Sequence, residues 1–422
     1  MKIITYEQFQ TNEQFDDIER NKQIDEVVLD IISNVRKSGD RALFNYAEKF
    51  DDVALTTLLV EDNELDEAET IVSEAFKEAI DVAARNIRQF HEKQVDKSWF
   101  FYKENGIMLG QQITPMDRVG VYIPGGKAAY PSTVLMNVIP ARLAGVPEIF
   151  IATPPQADGK INPHVLYAAK AVGVKNIYKM GGAQAVAAFA YGTETVPKVN
   201  KIVGPGNDFV ARAKKWVYGD VAIDMIAGPS EICIVADETA PANFVAADLL
   251  SQAEHDEAAE AICITTSEKM AEEIAEEVTN QLQRLSRRDI AAESIERNGK
   301  IIVVNHLEQA FELVNEIAPE HLQLMIENAM DYVSEVKHAG AIFLGNYSPE
   351  PLGDYVAGPN HTLPTSGTAK FASPLGVYDF VKKSSIIHYS EKALLEEANH
   401  IETLANMEGL EAHAKSIEIR RK

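Results

Sequence analysis

Gln252 and His255 stand three apart in Leu249-Leu250-Ser251-Gln252-Ala253-Glu254-His255-Asp256, behind the apolar run Phe244 to Leu250. That run reads as a helix. Residues three apart share a helix face, so an amide and an imidazole would project together and offer half of a metal or ligand site. Taken alone, such a pair is more often a solvated helix face, because these residue types are usually exposed. Three later stretches supply further groups. Ile317-Ala318-Pro319-Glu320-His321-Leu322 sets a carboxylate beside an imidazole at the entrance to an apolar strand. Neighbours in a strand face opposite ways, so both reach one centre only from a bent segment, which Pro319 favours. Histidine is the commonest general base near neutrality and glutamate can activate water; the bland alternative is a cap or surface pair. The Gly353 to Thr365 loop has two glycines and two prolines, too rigid for a linker and too polar for core, and it carries Asp354 and His361; without partners, Asp354 would simply make an Asx turn. Glu408-Gly409-Leu410-Glu411-Ala412-His413 lies in a helical tail, where a solvated helix end is the plain reading. Together Gln252, His255, Asp354 and His413 form a nitrogen and oxygen donor set without sulfur, which suits zinc or manganese.

The elements that must position these groups alternate. From Arg118, short apolar strands near 118–123, 148–153, 176–180 and 199–203 alternate with helical stretches near 133–145, 162–173, 183–191 and 207–217. This is the pattern of a parallel, doubly wound sheet. Three of the strands end in glycine: Ile123-Pro124-Gly125-Gly126, Met180-Gly181-Gly182-Ala183 and Val203-Gly204-Pro205-Gly206-Asn207. Ligands of such sheets bind at the carboxyl ends of the strands, where glycine admits a phosphate to backbone N–H groups, although no G-x-G-x-x-G is present. A second set follows, with strands near 231–236, 261–266, 300–304 and 340–345 and helices near 243–255, 267–285, 306–317 and 327–337. Two similar open α/β units sharing a cleft is the simplest architecture. Ahead of them, residues 1–20 read as an arm, a helix spans about 73–95, and 99–102 and 107–113 read as strands joined through Glu104-Asn105-Gly106. After Phe380 the periodicity becomes helical only, and residues 386–422 have too little apolar surface to fold alone, so this tail docks on its own body or a partner's.

Composition narrows the function classes. The 422 residues are 46% hydrophobic and 25% charged, ordinary for a globular chain of two or three domains. A net charge of -24 repels nucleic-acid phosphates and anionic membranes and favours a soluble protein acting on small molecules. Cys233 and Cys263, each inside an apolar run, read as core thiols of a reducing compartment rather than a disulfide framework. The first residues lack a signal-peptide core and no run is apolar enough for a membrane span, so a cytoplasmic location is expected.

At these residues the sequence resembles the histidinol dehydrogenase family. The matching motifs are Val121 to Gly126, Gly181 to Ala185, Ile202 to Asn207, Ala227 to Glu231, Leu249 to His255, Pro319 to Leu322, Gly353 to Thr365 and Glu408 to His413, in family order over nearly the whole chain. The resemblance implies a zinc-dependent, NAD-linked oxidation of L-histidinol through L-histidinaldehyde to L-histidine. It implies that Gln252, His255, Asp354 and His413 bind one Zn2+ per subunit, with His413 coming from the other subunit of a homodimer. Ser230, His361 and Glu408 would contact substrate, Tyr122, Gln184 and Asn207 would contact NAD, and Glu320 and His321 would be the acid/base pair. It further implies two incomplete Rossmann-like units with small terminal segments, in an architecture like that of aldehyde dehydrogenases: 21–117 with 232–380 as one, 118–231 as the NAD-binding other, and 381–422 as a dimerisation tail. The competing readings are a related dehydrogenase acting on another small polar alcohol such as a sulfopropanediol, a zinc hydrolase, or a non-enzymatic metal-binding protein. His361 and Glu408 favour histidinol over the first, and Glu320-His321 with the strand-end glycines favours a dehydrogenase over the others.

Overall fold

A computed structural model describes residues 1–11, 18–125 and 129–421. Gly126, the last residue of the first glycine-ended strand motif, lies outside the described residues, as does the 12–17 part of the expected arm.

The alternating stretches form two parallel sheets. In the first, Ile177–Lys179, Glu148–Thr153, Arg118–Tyr122, Lys201–Val203 and Ala222–Ile223 lie side by side in that order. In the second the order is Lys2–Thr5, Lys300–Val303, Glu260–Thr265, Glu231–Ala236, His321–Met325 and Ala341–Leu344. Lys2–Thr5 apart, both units place their third, second, first, fourth and fifth strands in sequence, the doubly wound order of a Rossmann-like half. The α/β class and the paired open sheets are therefore as expected. The apolar strands are buried on both faces, as parallel strands covered by helices must be.

Four features differ from the sequence expectation. Residues 2–5 are an edge strand paired in register with Lys300–Val303 rather than part of an arm. Val381–His388 is a strand, not helix; it pairs antiparallel with Ile107–Pro115, which in turn pairs with Trp99–Lys103 across the expected hairpin turn. Its side chains are largely exposed on both faces, so no alternation marks it. The expected helix at 327–337 is a 3-10 turn over Ala329–Glu335. The helices between 18 and 91, expected with the 232–380 unit, cover the other sheet instead: Ile18–Ser38 packs on Gly182–Tyr191 and Asp208–Val217, Asp62–Ile71 on Pro163–Ala171, and Glu74–His91 on Pro131–Leu143. The cause is visible in the covered helices. Thr133 to Ala141 and Ala183 to Ala190 are each buried without interruption, and a helix apolar all round needs protein on its outer side as well.

A buried ion pair fixes the turn that follows Lys201–Val203. Lys214, 2% exposed, pairs with Asp224 and donates to the Gly204 carbonyl at 3.0 Å, while the Asp224 carboxylate accepts from Gly204 N–H at 2.8 Å. Gly204 has φ +110, and a Cβ there would collide with the Tyr122 carbonyl oxygen, so glycine is required where the two central strands end together. Lys214→Met should destabilise the fold by about 3–5 kcal/mol by leaving Asp224 buried and unpaired, with partial recovery on adding Asp224→Leu. A thermal unfolding midpoint unchanged by Lys214→Met would contradict this.

Candidate active site

The helix Ala242–Ala253 descends antiparallel to the second sheet, with Val245, Ala246, Leu249, Leu250 and Ala253 in the core. Its last turn holds Gln252, and His255 follows one step beyond the C-cap, its N–H donating to the Gln252 carbonyl at 3.1 Å. Gln252 is fully buried, and both its amide oxygen and its amide nitrogen lack a partner. An unpaired buried amide atom costs about 1–3 kcal/mol, so this side chain is built for a ligand.

Glu320 and His321 arrive by the bend that the sequence requires. Ala318 ends the helix Leu307–Ile317 in the left-handed region, at φ 52, and Pro319 leads into the strand that starts at His321. Both side chains grip the main chain of one residue in the neighbouring strand. Glu320 accepts from Glu231 N–H at 3.0 Å, and His321 Nδ1 lies 2.9 Å from the Glu231 carbonyl oxygen. A carbonyl oxygen only accepts, so Nδ1 carries the proton and Nε2 is the free lone pair. His361 is set the same way, its Nδ1 3.1 Å from the Asp354 carbonyl oxygen. The Nε2 atoms of both rings are buried without a partner. Burial pushes both imidazoles down to about 4, which keeps them neutral, and His255 is also lowered, first by burial.

Asp354 joins these groups, its Oδ1 3.9 Å from His321 Nε2 and 3.9 Å from His361 Nδ1. One turn earlier on the short helix Glu350–Tyr355 stands Glu350, 1% exposed and accepting from the Ser251 hydroxyl at 3.1 Å. Donor atoms of His255, Glu350 and Asp354 all lie within 4.8 Å of one another. Burial raises the pKa of both carboxyls, and the Asp354 charge adds to the rise at Glu350. Burial raises Glu320 well above the usual carboxylate range and lifts Glu231 to about 7. Glu350 was not among the sequence candidates, although its four-residue spacing from Asp354 puts the two on one helix face. Orphaned donors of nitrogen and oxygen around two acids fit a divalent cation such as zinc.

His321, Asp354 and His361 open on a cavity of about 490 Å³. Ser230, partly buried, precedes Glu231 in a stretch tied to the 353–365 loop by Gly228 N–H donating to Thr365 Oγ1 at 2.6 Å. Glu408 and His413 are not brought to this cluster by their own chain. Both are exposed, and Glu411–Glu418 packs on Glu391–Met407. A larger cavity, about 940 Å³, lies at the carboxyl ends of the first sheet and is lined by Tyr122, Gln184 and Asn207. The Tyr122 hydroxyl accepts from Gly182 N–H at 3.1 Å, and the Asn207 side-chain oxygen caps Asp208–Val217 by accepting from Val210 N–H at 3.2 Å, leaving its NH2 for a ligand. Gly181 and Gly182 at the start of Gly182–Tyr191 line the same space.

Two Rossmann-like sheets, a cleft of dinucleotide size at the carboxyl ends of one and a buried imidazole and carboxylate cluster on the other define the class of an α/β oxidoreductase. The family model for histidinol dehydrogenase matches residues 16–421, and the chain belongs to that family. It is 57% identical to the histidinol dehydrogenase of Oceanobacillus iheyensis over 95% of this chain and 94% of that one, and 54% identical to that of Listeria monocytogenes over 94% and 93%. The crystal structure of histidinol dehydrogenase from Elizabethkingia anophelis superposes with a TM-score of 0.92 at 40% identity, covering 100% of this chain and 98% of that one. Among the described residues no helix is long and apolar enough to cross a membrane.

Zn2+ should raise the unfolding temperature of metal-free protein, since a ligand at a hundredfold its Kd adds about 2.7 kcal/mol. Asp354→Ala and Gln252→Ala should each remove most of that rise, and a variant that keeps the full shift would take its residue out of the metal set.

Proposed function

We propose that the protein carries out the NAD-linked, zinc-dependent four-electron oxidation of L-histidinol through L-histidinaldehyde to L-histidine, the closing steps of histidine biosynthesis. The observation that carries this reading is the pair of buried rings His321 and His361, each with a partnerless Nε2 and each beside Asp354, together with the buried, unpartnered amide of Gln252, in a chain of this family. Gln252, His255 and Asp354 would hold one Zn2+ per subunit, with His413 of a second subunit as the fourth ligand. Tyr122, Gln184 and Asn207 would hold the dinucleotide, and Ser230, His361 and Glu408 the substrate. When bound, zinc supplies an anchor for the imidazole and amine of histidinol, and NAD+ supplies the hydride acceptor.

His321 is set up as a base. Its Nδ1 proton is committed to the Glu231 carbonyl, so Nε2 takes the proton of the substrate hydroxyl, and its burial keeps the ring neutral beforehand. Glu320 is held beside it by Glu231 N–H, and its raised pKa makes its ionised form a stronger base for drawing a proton from the water that hydrates the aldehyde. His361, fixed by the Asp354 carbonyl, offers Nε2 to a donor on the substrate.

A homodimer would cover what one chain leaves exposed. Glu408 and His413 are exposed, as are Trp99, Phe101, Tyr102, Ile387, Leu404 and Met407 on the hairpin and tail, an amount of apolar surface that a second chain would cover. A cytoplasmic setting agrees with Cys233 and Cys263 being buried free thiols.

The test is NADH formation with L-histidinol, which should give two NADH per substrate consumed; no turnover by zinc-loaded protein would remove the reading. His321→Asn should reduce both oxidations by about 10²–10⁴-fold, as expected for loss of a positioned base. Glu320→Gln should chiefly slow oxidation of supplied histidinaldehyde, the step that needs added water. A Glu320→Gln enzyme at full rate on the aldehyde but slow on the alcohol would reverse the assignment.

A further inference from the structure

We propose that Asp51 holds the ribose hydroxyls of the adenosine half of the dinucleotide and selects NAD+ against NADP+, an inference that rests on reading the 940 Å³ cavity as the cofactor cleft. Asp51 ends the helix Asp40–Phe50, its own N–H donating to the Ala47 carbonyl at 3.0 Å. It is the only charged residue among the described residues that line this cavity. Its Oδ2 is shut off from solvent and has no hydrogen-bond partner. The carboxyl is pushed up to about 6 by burial, which a pair of ligand hydroxyls would relieve.

The surroundings decide which part of a dinucleotide meets it. A carboxylate repels phosphate, so the pyrophosphate belongs away from Asp51, at the amino end of the ten-residue helix Gly182–Tyr191, which lines the same cavity and whose dipole attracts anions. Phe50, next to Asp51 in the chain, and Val27 and Ile31 give the same cavity an apolar lining that suits a purine ring. A hydroxyl-bearing sugar between purine and pyrophosphate is the adenosine ribose. In the usual dinucleotide fold an acidic residue after the glycine turn binds those hydroxyls and excludes a 2′-phosphate. Here the loop after the second strand of the sheet brings no carboxylate to the cavity among the described residues: its Asp158 accepts from Lys160 N–H at 2.9 Å within the loop and is not part of the lining. Asp51 supplies one from the helical layer outside the sheet, ahead of the first strand in the chain.

Isothermal titration of the full-length protein with NAD+ and with NADP+, without substrate, tests this directly. Asp51→Asn should weaken NAD+ about tenfold, the size of a lost charge-assisted hydrogen bond, and should shift the NAD+ to NADP+ affinity ratio at least about tenfold toward NADP+. Asp51→Glu should keep the wild-type preference. The apo Asp51→Asn protein should melt no lower than wild type, because it loses an unpaired buried charge; a lower melting point with an unchanged affinity ratio would make Asp51 structural and overturn the proposal. Wild-type binding of NAD+ with the same ratio in Asp51→Asn would overturn it while leaving the cleft in place. Wild type that binds no NAD+ would remove the reading of the cleft itself.

Discussion

The main chain of Glu231 is the point on which the site depends. Its N–H is taken by Glu320 and its C=O by His321, so one peptide residue in a central strand orients both members of the acid/base pair. The consequence for His321 is a tautomer chosen by geometry, with the basic Nε2 turned into a cavity and away from any protein partner. The Asp354 carbonyl does the same for His361. Leaving several buried polar atoms unmatched costs stability, and the doubly covered sheet beneath, with Ile232, Ile234, Leu322 and Leu324 fully buried, is what tolerates that cost.

Peptide dipoles distinguish the two candidate sites, which lie at opposite edges of equivalent sheets. The cleft lined by Tyr122, Gln184 and Asn207 is at the carboxyl edge of the first sheet, where helices begin and their N–H groups favour phosphate. The cluster of Gln252, His255, Glu320 and His321 is at the amino edge of the second, where strands start and helices end. Gln252 and His255 sit at the carboxyl end of Ala242–Ala253, whose dipole favours a cation. With the proposed ligands in place, the general rule that open α/β sheets bind ligands at their carboxyl ends would hold for the first unit and be reversed in the second.

Much of this was legible before any coordinates. The alternation of strand and helix from 118 onward and the glycine strand ends follow from period, while Gln252, His255, Glu320, His321, Asp354 and His361 are candidates by residue chemistry that only the family resemblance singles out. What was hidden has physical reasons. Glu350 looked like an ordinary helix-start acid, since its burial comes from packing against Ser251 and Asp354, far apart in the chain or in the next turn. Asp51 follows the helix Asp40–Phe50, whose neighbours in the helical layer pack on the first sheet. The signal for that packing was present in the unbroken apolar runs 133–141 and 183–190, which demand a second covering layer. Lys2–Thr5 and Val381–His388 are edge strands with exposed faces, and pairing rather than pattern makes them strands.

In the proposed dimer one chain builds all of the site except what the tail of a second chain brings. Co-expression of a His255→Ala subunit with a His413→Ala subunit, each inactive alone, tests this. A two-fold heterodimer contains one site with both His255 and His413 intact, so purified heterodimers should show up to about half the wild-type activity. Verified heterodimers without activity, or a fully active isolated monomer, would show that His413 serves its own subunit and that the shared site does not exist.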